Sequence, residues 1–235
     1  MQLPYFYEPQ VTFTNTSFVL SEETSRHCVQ VLRMQTSEQL QLTDGAGNLY
    51  TAAITKADKK HCEVIIQDIR YMEQEAKRIC VAVSLLKNAN RFEWFLEKAT
   101  EIGVQEIVPL LCERTERQHF RYDRMQGITV AAMLQSQQCW LPLLHEPTPL
   151  QQVITTSNYA DKRIAHCVAG EDKILINTLP VQDAVQILIG PEGDFTSKEI
   201  EMALQQGYKP VSLGNTRLRT ETAGVMASTL LMYSH

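Results

Sequence analysis

Beyond residue 77 the chain is punctuated by five short apolar runs: ICVAVSLL (79–86), EIVPLL (106–111), RIAHCVA (163–169), VQILIG (185–190) and PVSLG (210–214). Segments with helical periodicity separate them. The clearest is 91–102, where Phe92, Phe95, Ala99 and Ile102 recur at three- and four-residue steps and Gly103 closes the helix. A second runs from about Met125 to Cys139 and a third from Ser197 to Gln206. Buried strands alternating with helices restrict this part of the chain to the α/β class with a mostly parallel sheet.

Residues Phe18 to Ile69 have another texture. QLQLTDGAGNLYTAAIT reads as two strands around a turn of Asp44, Gly45, Ala46 and Gly47, and CEVIIQDI follows a charged turn. That spacing predicts a small β-barrel or curled sheet. YMEQEAKR then supplies no core residue past Tyr71 and Met72, so a junction is expected near 70–77, dividing a domain at 1–72 from one at 73–235.

Composition removes several classes of function. With 44% apolar and 21% charged residues the chain is not disordered, collagen-like or a disulfide scaffold. Twenty-two basic against 27 acidic side chains give a net charge of −5, so a nucleic-acid partner must meet a local basic patch. The segment 77–125, with nine basic and seven acidic residues, is the only net-positive stretch. It reads as a phosphate-binding face or as a solvated helix and loop of mixed charge. No two cysteines stand closer than eighteen residues and the six histidines are scattered, so no metal is expected. No secretory signal opens the chain and no apolar run approaches the ~20 residues of a membrane span. A cytoplasmic protein with reduced thiols and no membrane partner is expected.

Three segments are placed to carry chemistry. In LIGPEGDFTSKEI (188–200) an apolar strand ends at Gly190, a turn with Pro191 and Gly193 follows, and Thr196 with Glu199 makes a capping box. LGNTRLRTETAGVMASTLL (213–231) repeats the pattern, with Gly214, a polar loop, then Thr220 as N-cap and Glu221 in the first turn of an apolar helix. Ligands of open α/β sheets sit outside the carboxyl ends of strands, so these two glycine loops are expected side by side in one cradle. Each alone also reads as an ordinary strand-to-helix turn. In the third segment Lys87 and Arg91 follow one strand and Arg114, Arg117 and Arg121 the next, where guanidinium groups hold phosphates by paired hydrogen bonds. Glu93, Glu97 and Glu101 on the intervening helix need cations nearby, which gives those arginines an internal use as well. No GxGxxG opening a helix, phosphate-binding P-loop, HExxH or GxSxG occurs.

At these segments the chain resembles the RsmE family of 16S ribosomal RNA uracil-N3 methyltransferases, of the SPOUT superfamily. HCVQVLRMQTSEQLQLTDGAGNLYTAAI resembles the family's amino-terminal domain, RFEWFLEKATEIGVQEIVPLLCERT its central signature, and LIGPEGDFTSKEI with LGNTRLRTETA its two cofactor loops. The resemblance implies a PUA-like β-barrel that helps bind RNA, an α/β methyltransferase domain whose carboxyl-terminal segment threads a trefoil knot, and a homodimer. It implies an S-adenosylmethionine (SAM) site at Gly190, Pro191, Glu192, Gly193, Leu213, Gly214, Leu218, Arg219 and Thr220, with His166 opening a third loop. The chain departs from the family at Asp194, where many members have a second glycine. It departs also at Thr216, where they have arginine, and at Gln137, Gln138, Cys139 and Trp140, where a longer motif is reduced.

Under this resemblance the substrate is 16S rRNA or the assembled small ribosomal subunit, with Arg26, Arg33, Lys87, Arg91, Arg114, Arg117 and Arg121 as candidate RNA contacts. Arg26 and Arg33 also read as pairing within their own domain. The N3 of uracil carries a proton, so the attacking nitrogen is the anion or loses its proton as it attacks. Arg219 is the candidate cation for the charge developing on the base. Glu221 either orients Arg219, accepts the proton, or serves as a helix-dipole carboxylate. Two other readings stay open: a non-catalytic RNA-binding or ribosome-assembly protein, and an enzyme using an adenine nucleotide in the same crevice.

Overall fold

Two sheets organise the 235-residue chain. The computed structural model describes residues 3–74, 76–116, 118–168, 173–180 and 182–233. It divides into two compact units, Met1–Gln74 with Met133–Leu141, and Glu75–Ala132 with Pro142–His235.

The amino-terminal unit contains β1 (Tyr5–Tyr7), β2 (Ser17–Val19), α1 (Glu22–Arg26) running into a π-type turn at His27–Val31, β3 (Gln39–Thr43), β4 (Asn48–Lys56) and β5 (Glu63–Tyr71). Its sheet order is β1-β3-β4-β5-β2, antiparallel except for β1 against β3. The DGAG turn forms because Asp44 Oδ1 accepts the Ala46 and Asn48 amides while Gly45 and Gly47 take φ of 74° and 94°. Alternate residues Leu40 and Leu42 of β3, and Tyr50, Ala52 and Ile54 of β4, turn inward onto Phe6, Cys28 and Val64. This is a curled sheet with one core face. The short helix at Glu22–Arg26 interrupts the all-strand pattern expected for Phe18 to Ile69. It is set by the Ser21 side chain, which accepts the Thr24 amide, rather than by any long periodicity.

Met133–Leu141 folds with this unit. Tyr5 Oη donates to the Gln138 carbonyl at 2.8 Å, Trp140 Nε1 donates to the Met72 carbonyl at 2.8 Å, and the Leu141 amide donates to Gly45 O at 2.9 Å. Trp140 lies so close over Gly47 that a Cβ there would clash with the indole. The Gln137–Trp140 stretch therefore carries packing of its own.

The second unit contains β6 (Arg78–Ser84), α2 (Ala89–Ile102), β7 (Glu106–Leu111), α3 (Tyr122–Gln135, whose end lies in the first unit), β8 (Leu143–Leu144), β9 (Thr148–Pro149) and α4 (Leu150–Thr156). There follow β10 (Asp161–Ala165), β11 (Ile174–Leu175) with a 3-10 turn at Ile176–Thr178, β12 (Ala184–Ile189), α5 (Ser197–Gln205), β13 (Lys209–Ser212) and α6 (Thr220–Tyr233). The sheet order is β11-β13-β10-β12-β6-β7-β8, β9 also pairing with β7, and its pairings are parallel.

Both faces of this sheet are covered, which explains why its strands read as unbroken apolar runs. Ile79, Val81 and Val83 of β6 meet Phe92, Phe95 and Leu96 of α2 and Ala227 and Leu231 of α6. Cys80 and Ala82 turn the other way, onto Leu150, Val153 and Ile154 of α4 and Ile200 and Ala203 of α5. Burying each such aliphatic or aromatic side chain contributes about 1.5–3 kcal/mol. Gly224 lets α6 approach α2 closely, since a Cβ at that position would stand 2.7 Å from the Phe95 ring. Arg163 is fully buried on β10 and is satisfied by Asp161 Oδ2 (2.6 and 3.0 Å) and the carbonyls of Ile176 and Pro180 (3.2 and 3.0 Å). It fastens the segment following β10 back onto the strand.

Candidate active site

The chain enters the site from β12, at the carboxyl edge of the parallel sheet. Gly190 is required there because a Cβ would meet the Phe195 ring at 3.0 Å and its amide nitrogen at 3.2 Å. After the PEG turn, α5 begins on the expected capping box: Thr196 Oγ1 accepts the Glu199 amide at 3.3 Å and Glu199 Oε2 accepts the Thr196 amide at 2.8 Å. The second carboxylate oxygen of Glu199 accepts the Glu113 amide at 2.8 Å, so the cap also draws in the loop after β7.

Two further contacts brace this rim. Arg114 Nη1 donates to the Gly193 carbonyl at 2.6 Å, and Glu192 Oε1 accepts the Lys87 amide at 3.2 Å. The loops after β6, β7 and β12 are thus joined by hydrogen bonds of their own.

β10 lies between β12 and β13 in the sheet, yet residues of both glycine loops line one cavity, as the sequence suggests. Ala165 and Cys167, at and just beyond the end of β10, line the same crevice. A cavity of about 290 Å³ is walled by Gly190, Pro191, Glu192, Leu218, Arg219 and Thr220. A second, of about 580 Å³, shares Leu218, Arg217 and Asp194 with the first and adds His166, Leu213 and Gly214. Gly193 lies on the same loop but fronts neither cavity, and holds Arg114 instead. Gly214 sits at φ 138°, and nothing approaches within 4 Å of where its Cβ would be, so free space opens beside the backbone. Volumes of this size, with walls that mix apolar side chains such as Ile189 and Leu218 with polar and charged ones, suit a nucleoside-sized ligand such as SAM.

Helix α6 starts at Thr220, and the carbonyl of Arg219 accepts the Ala223 amide at 2.8 Å, so Arg219 rather than Thr220 occupies the cap position. The Arg219 side chain is exposed where the first cavity meets a third, of about 330 Å³, lined by Asn90, Arg91, Trp94, Arg219, Glu221 and Thr222. Glu221 is buried, with Oε1 3.6 Å from Arg91 Nε and Oε2 without a hydrogen-bond partner. The cation facing Glu221 is therefore Arg91, assigned to RNA from the sequence, and not Arg219.

The remaining basic residues divide. Lys87 pairs with Glu116 at 2.7 Å and Arg26 with Glu22 at 3.3 Å, both exposed pairs of small energetic weight. Glu93 is held by Arg124 at 2.7 and 2.8 Å, and Glu97 and Glu101 share Lys98. Hydrogen bonds from Arg124 keep the Glu93 carboxyl below the usual carboxylate range despite its partial burial. Arg121 is exposed beside His119 and Arg124 in another cavity. Arg33 is an exposed residue of the first unit at φ 57°, and Arg117 lies outside the described residues.

Sequence reasoning missed Trp94 and Cys167, and marked Asp194 only as a departure from the family without its contact to Cys167. Trp94 carried a legible signal: it stands off the Phe92-Phe95-Ala99-Ile102 stripe and is 43% exposed. Cys167 is the exposed cysteine, whereas burial pushes the Cys28, Cys80 and Cys112 thiols up to about 12 and keeps them protonated. Among the described residues no His, Cys, Asp and Glu group is placed to hold a metal ion, and no helix is long and apolar enough to cross a membrane.

Residues 73–232 match the model of the RNA methyltransferase domain and residues 20–67 that of the RNA methyltransferase PUA domain. A chain from Porphyromonas gingivalis named a probable rRNA-methyltransferase is 39% identical, with a TM-score of 0.89 over 96% of this chain and 95% of its own. The ribosomal RNA small subunit methyltransferase E of Neisseria gonorrhoeae, solved bound to S-adenosyl methionine, is 26% identical, with a TM-score of 0.86 over 97% and 95% of the two chains. A protein of the same name from Synechocystis is 28% identical over 207 residues, 84% of this chain and 67% of the relative.

Proposed function

The chain belongs to the RNA methyltransferase family, and from that premise we propose that it transfers the methyl group of SAM to N3 of a specific uridine in 16S rRNA of the small ribosomal subunit. The observation that carries the reading is the crevice formed by the loops after β10, β12 and β13, opening at Arg219 into a second chamber. SAM, when bound, supplies an electrophilic methyl group. Gly190, Pro191, Glu192 and Gly193, with Leu213, Gly214, Leu218, Arg219, Thr220 and His166, are assigned to holding it.

The base enters from the chamber of Asn90, Arg91, Trp94 and Glu221, so that acceptor and donor meet at Arg219. Positioning for in-line attack supplies much of the acceleration. The Arg219 guanidinium stabilises negative charge on the uracil carbonyl oxygens as N3 loses its proton, and Glu221, which lines the acceptor chamber with Arg219, takes it. An N3 engaged in a base pair is inaccessible, so the target is unpaired or extruded.

The finer architecture belongs to the same proposal. A carboxyl-terminal trefoil knot is supported by Ile176, from the segment between β10 and β12, sharing a core with Ala227 and Leu231 of α6. Homodimer formation is supported by Met226 and Tyr233, which leave apolar surface exposed on α6. Residues 1–72, with Met133–Leu141 folded onto them, are assigned to a PUA-like barrel that meets RNA through Arg26 and Arg33, and the rest of 73–235 to catalysis, with Lys87, Arg117 and Arg121 as further RNA contacts. The substrate places the enzyme in the cytoplasm with the ribosome.

The test is nucleoside analysis of small subunits from cells lacking the gene, before and after incubation with purified protein and SAM. Appearance of 3-methyluridine at one position is expected, and its absence overturns the assignment. Thermal-shift titration with SAM, ATP and NAD separates the cofactor readings, with stabilisation by SAM expected.

A further inference from the structure

Asp194 holds a backbone conformation that side chains seldom adopt, with φ of 63°. It occupies the position at which the resemblance leads one to expect glycine. Its own amide donates to the Pro191 carbonyl at 2.9 Å, closing the PEGD turn, and its Oδ1 accepts the Phe195 amide at 2.9 Å. Its Oδ2 reaches across to the loop after β10 and accepts the Cys167 amide at 2.7 Å. A glycine at this position has no such reach.

The Cys167 contact falls where it bears on the ligand. Cys167 and Asp194 both line the two cavities, and the preceding residue, His166, has its carbonyl held by Lys173 Nζ at 2.8 Å. The start of the loop after β10 is thus fixed at successive residues, once to a lysine beyond it and once to the loop after β12.

We infer that Asp194 is a positioning residue of the cofactor cradle, whose carboxylate ties the loop after β12 to the loop after β10 and preorganises both for SAM. The inference rests on the crevice being the SAM site. A cradle already assembled in the free protein avoids an ordering cost on binding, so the tether acts on cofactor affinity and not on the methyl-transfer step.

Asp194→Gly and Asp194→Asn test it. Glycine accepts the same φ without strain and deletes the tether; asparagine tolerates that φ and keeps one acceptor oxygen while losing the charge. Calorimetry on the full chain is expected to show SAM binding weakened about five- to tenfold in Asp194→Gly and by less in Asp194→Asn, whose single acceptor oxygen serves the Cys167 or the Phe195 amide but not both. Both variants should keep kcat at saturating SAM within about twofold of wild type, with the loss appearing in KM for SAM. Wild-type affinity in Asp194→Gly overturns the inference. So does complete loss of SAM binding in Asp194→Asn, which makes the carboxylate itself a ligand contact. If the wild-type chain fails to bind SAM, the reading of the crevice falls, and the inference with it.

Discussion

Arg91 Nε stands 3.6 Å from Oε1 of Glu221, joining the first turn of α2 to the first turn of α6 at the mouth of the crevice. Glu221 is buried there with its other oxygen unpartnered. Replacing it by Gln keeps the shape and removes the proton acceptor. As general base its loss is expected to lower kcat by about 10²-fold or more, with SAM affinity unchanged by calorimetry. An unaltered rate leaves Glu221 as a charge partner of Arg91 and nothing more.

Arg219 is exposed between the two chambers, where the proposed reaction puts the charge that develops on the base. Arg219→Ala is expected to reduce methylation of small subunits by about 10²–10³-fold, the usual scale for losing a charge-stabilising donor. Single-turnover kinetics give the reading. Full methylation by the variant removes Arg219 from the mechanism.

Arg114 and Arg121 were paired as RNA contacts, yet the structure uses them differently. Arg114 grips the Gly193 carbonyl, so Arg114→Ala is expected to weaken SAM by several-fold, on the order of one charged hydrogen bond partly screened by solvent. Arg121 is exposed, so Arg121→Ala is expected to flatten the slope of log K for RNA against log salt by about 1 and leave SAM binding alone. The reverse pattern would exchange their roles.

Two glycines give opposite expectations on alanine substitution. Gly190→Ala forces a methyl group against the Phe195 ring and backbone, so a stability loss of about 1–3 kcal/mol and impaired SAM binding are expected. Gly127 lies exposed within α3 with nothing near its Cβ position, so Gly127→Ala is expected to stabilise the fold by about 0.5–1 kcal/mol. Denaturant melts of both variants decide.

At the opposite edge of the sheet, Glu106 accepts from Arg78 at 2.6 Å and from Tyr159, and lies 3.0 Å from His145 Nε2. Burial alone would raise its carboxyl, but hydrogen bonds from Tyr159 and Arg78 outweigh that and hold it below the usual range. A depressed folded value means the stabilisation is fully present above about pH 4.5 and is lost as pH falls through the folded value. Glu106→Gln is therefore expected to melt lower than wild type at pH 7, with the gap closing as pH falls below the ordinary carboxylate value of about 4.5. A gap independent of pH would rule out the charge as its source.

Much of the framework was legible in local pattern. The doubly buried strands β6, β7, β10, β12 and β13 announced themselves as apolar runs, α2 as a stripe ending at Gly103, and α5 as a capping box. The short helix at Glu22–Arg26 was not, because five residues are too few to show a period and a single serine cap defines them. The return of Met133–Leu141 to the amino-terminal unit was equally hidden, since its anchors are hydrogen bonds to residues some 70 to 135 positions away.

For the site, residue types and their place after strand ends came from sequence alone, because glycine, capping pairs and strand termini are local properties of the backbone. Their partners did not. That Arg91 rather than Arg219 faces Glu221 follows from α6 packing on α2, whereas the intervention of β10 between β12 and β13 and the reach of Asp194 to Cys167 follow from the lateral order of parallel strands. That order is fixed by how crossover helices pack on the two faces of the sheet, a contest among distant apolar surfaces that no window of neighbouring residues contains.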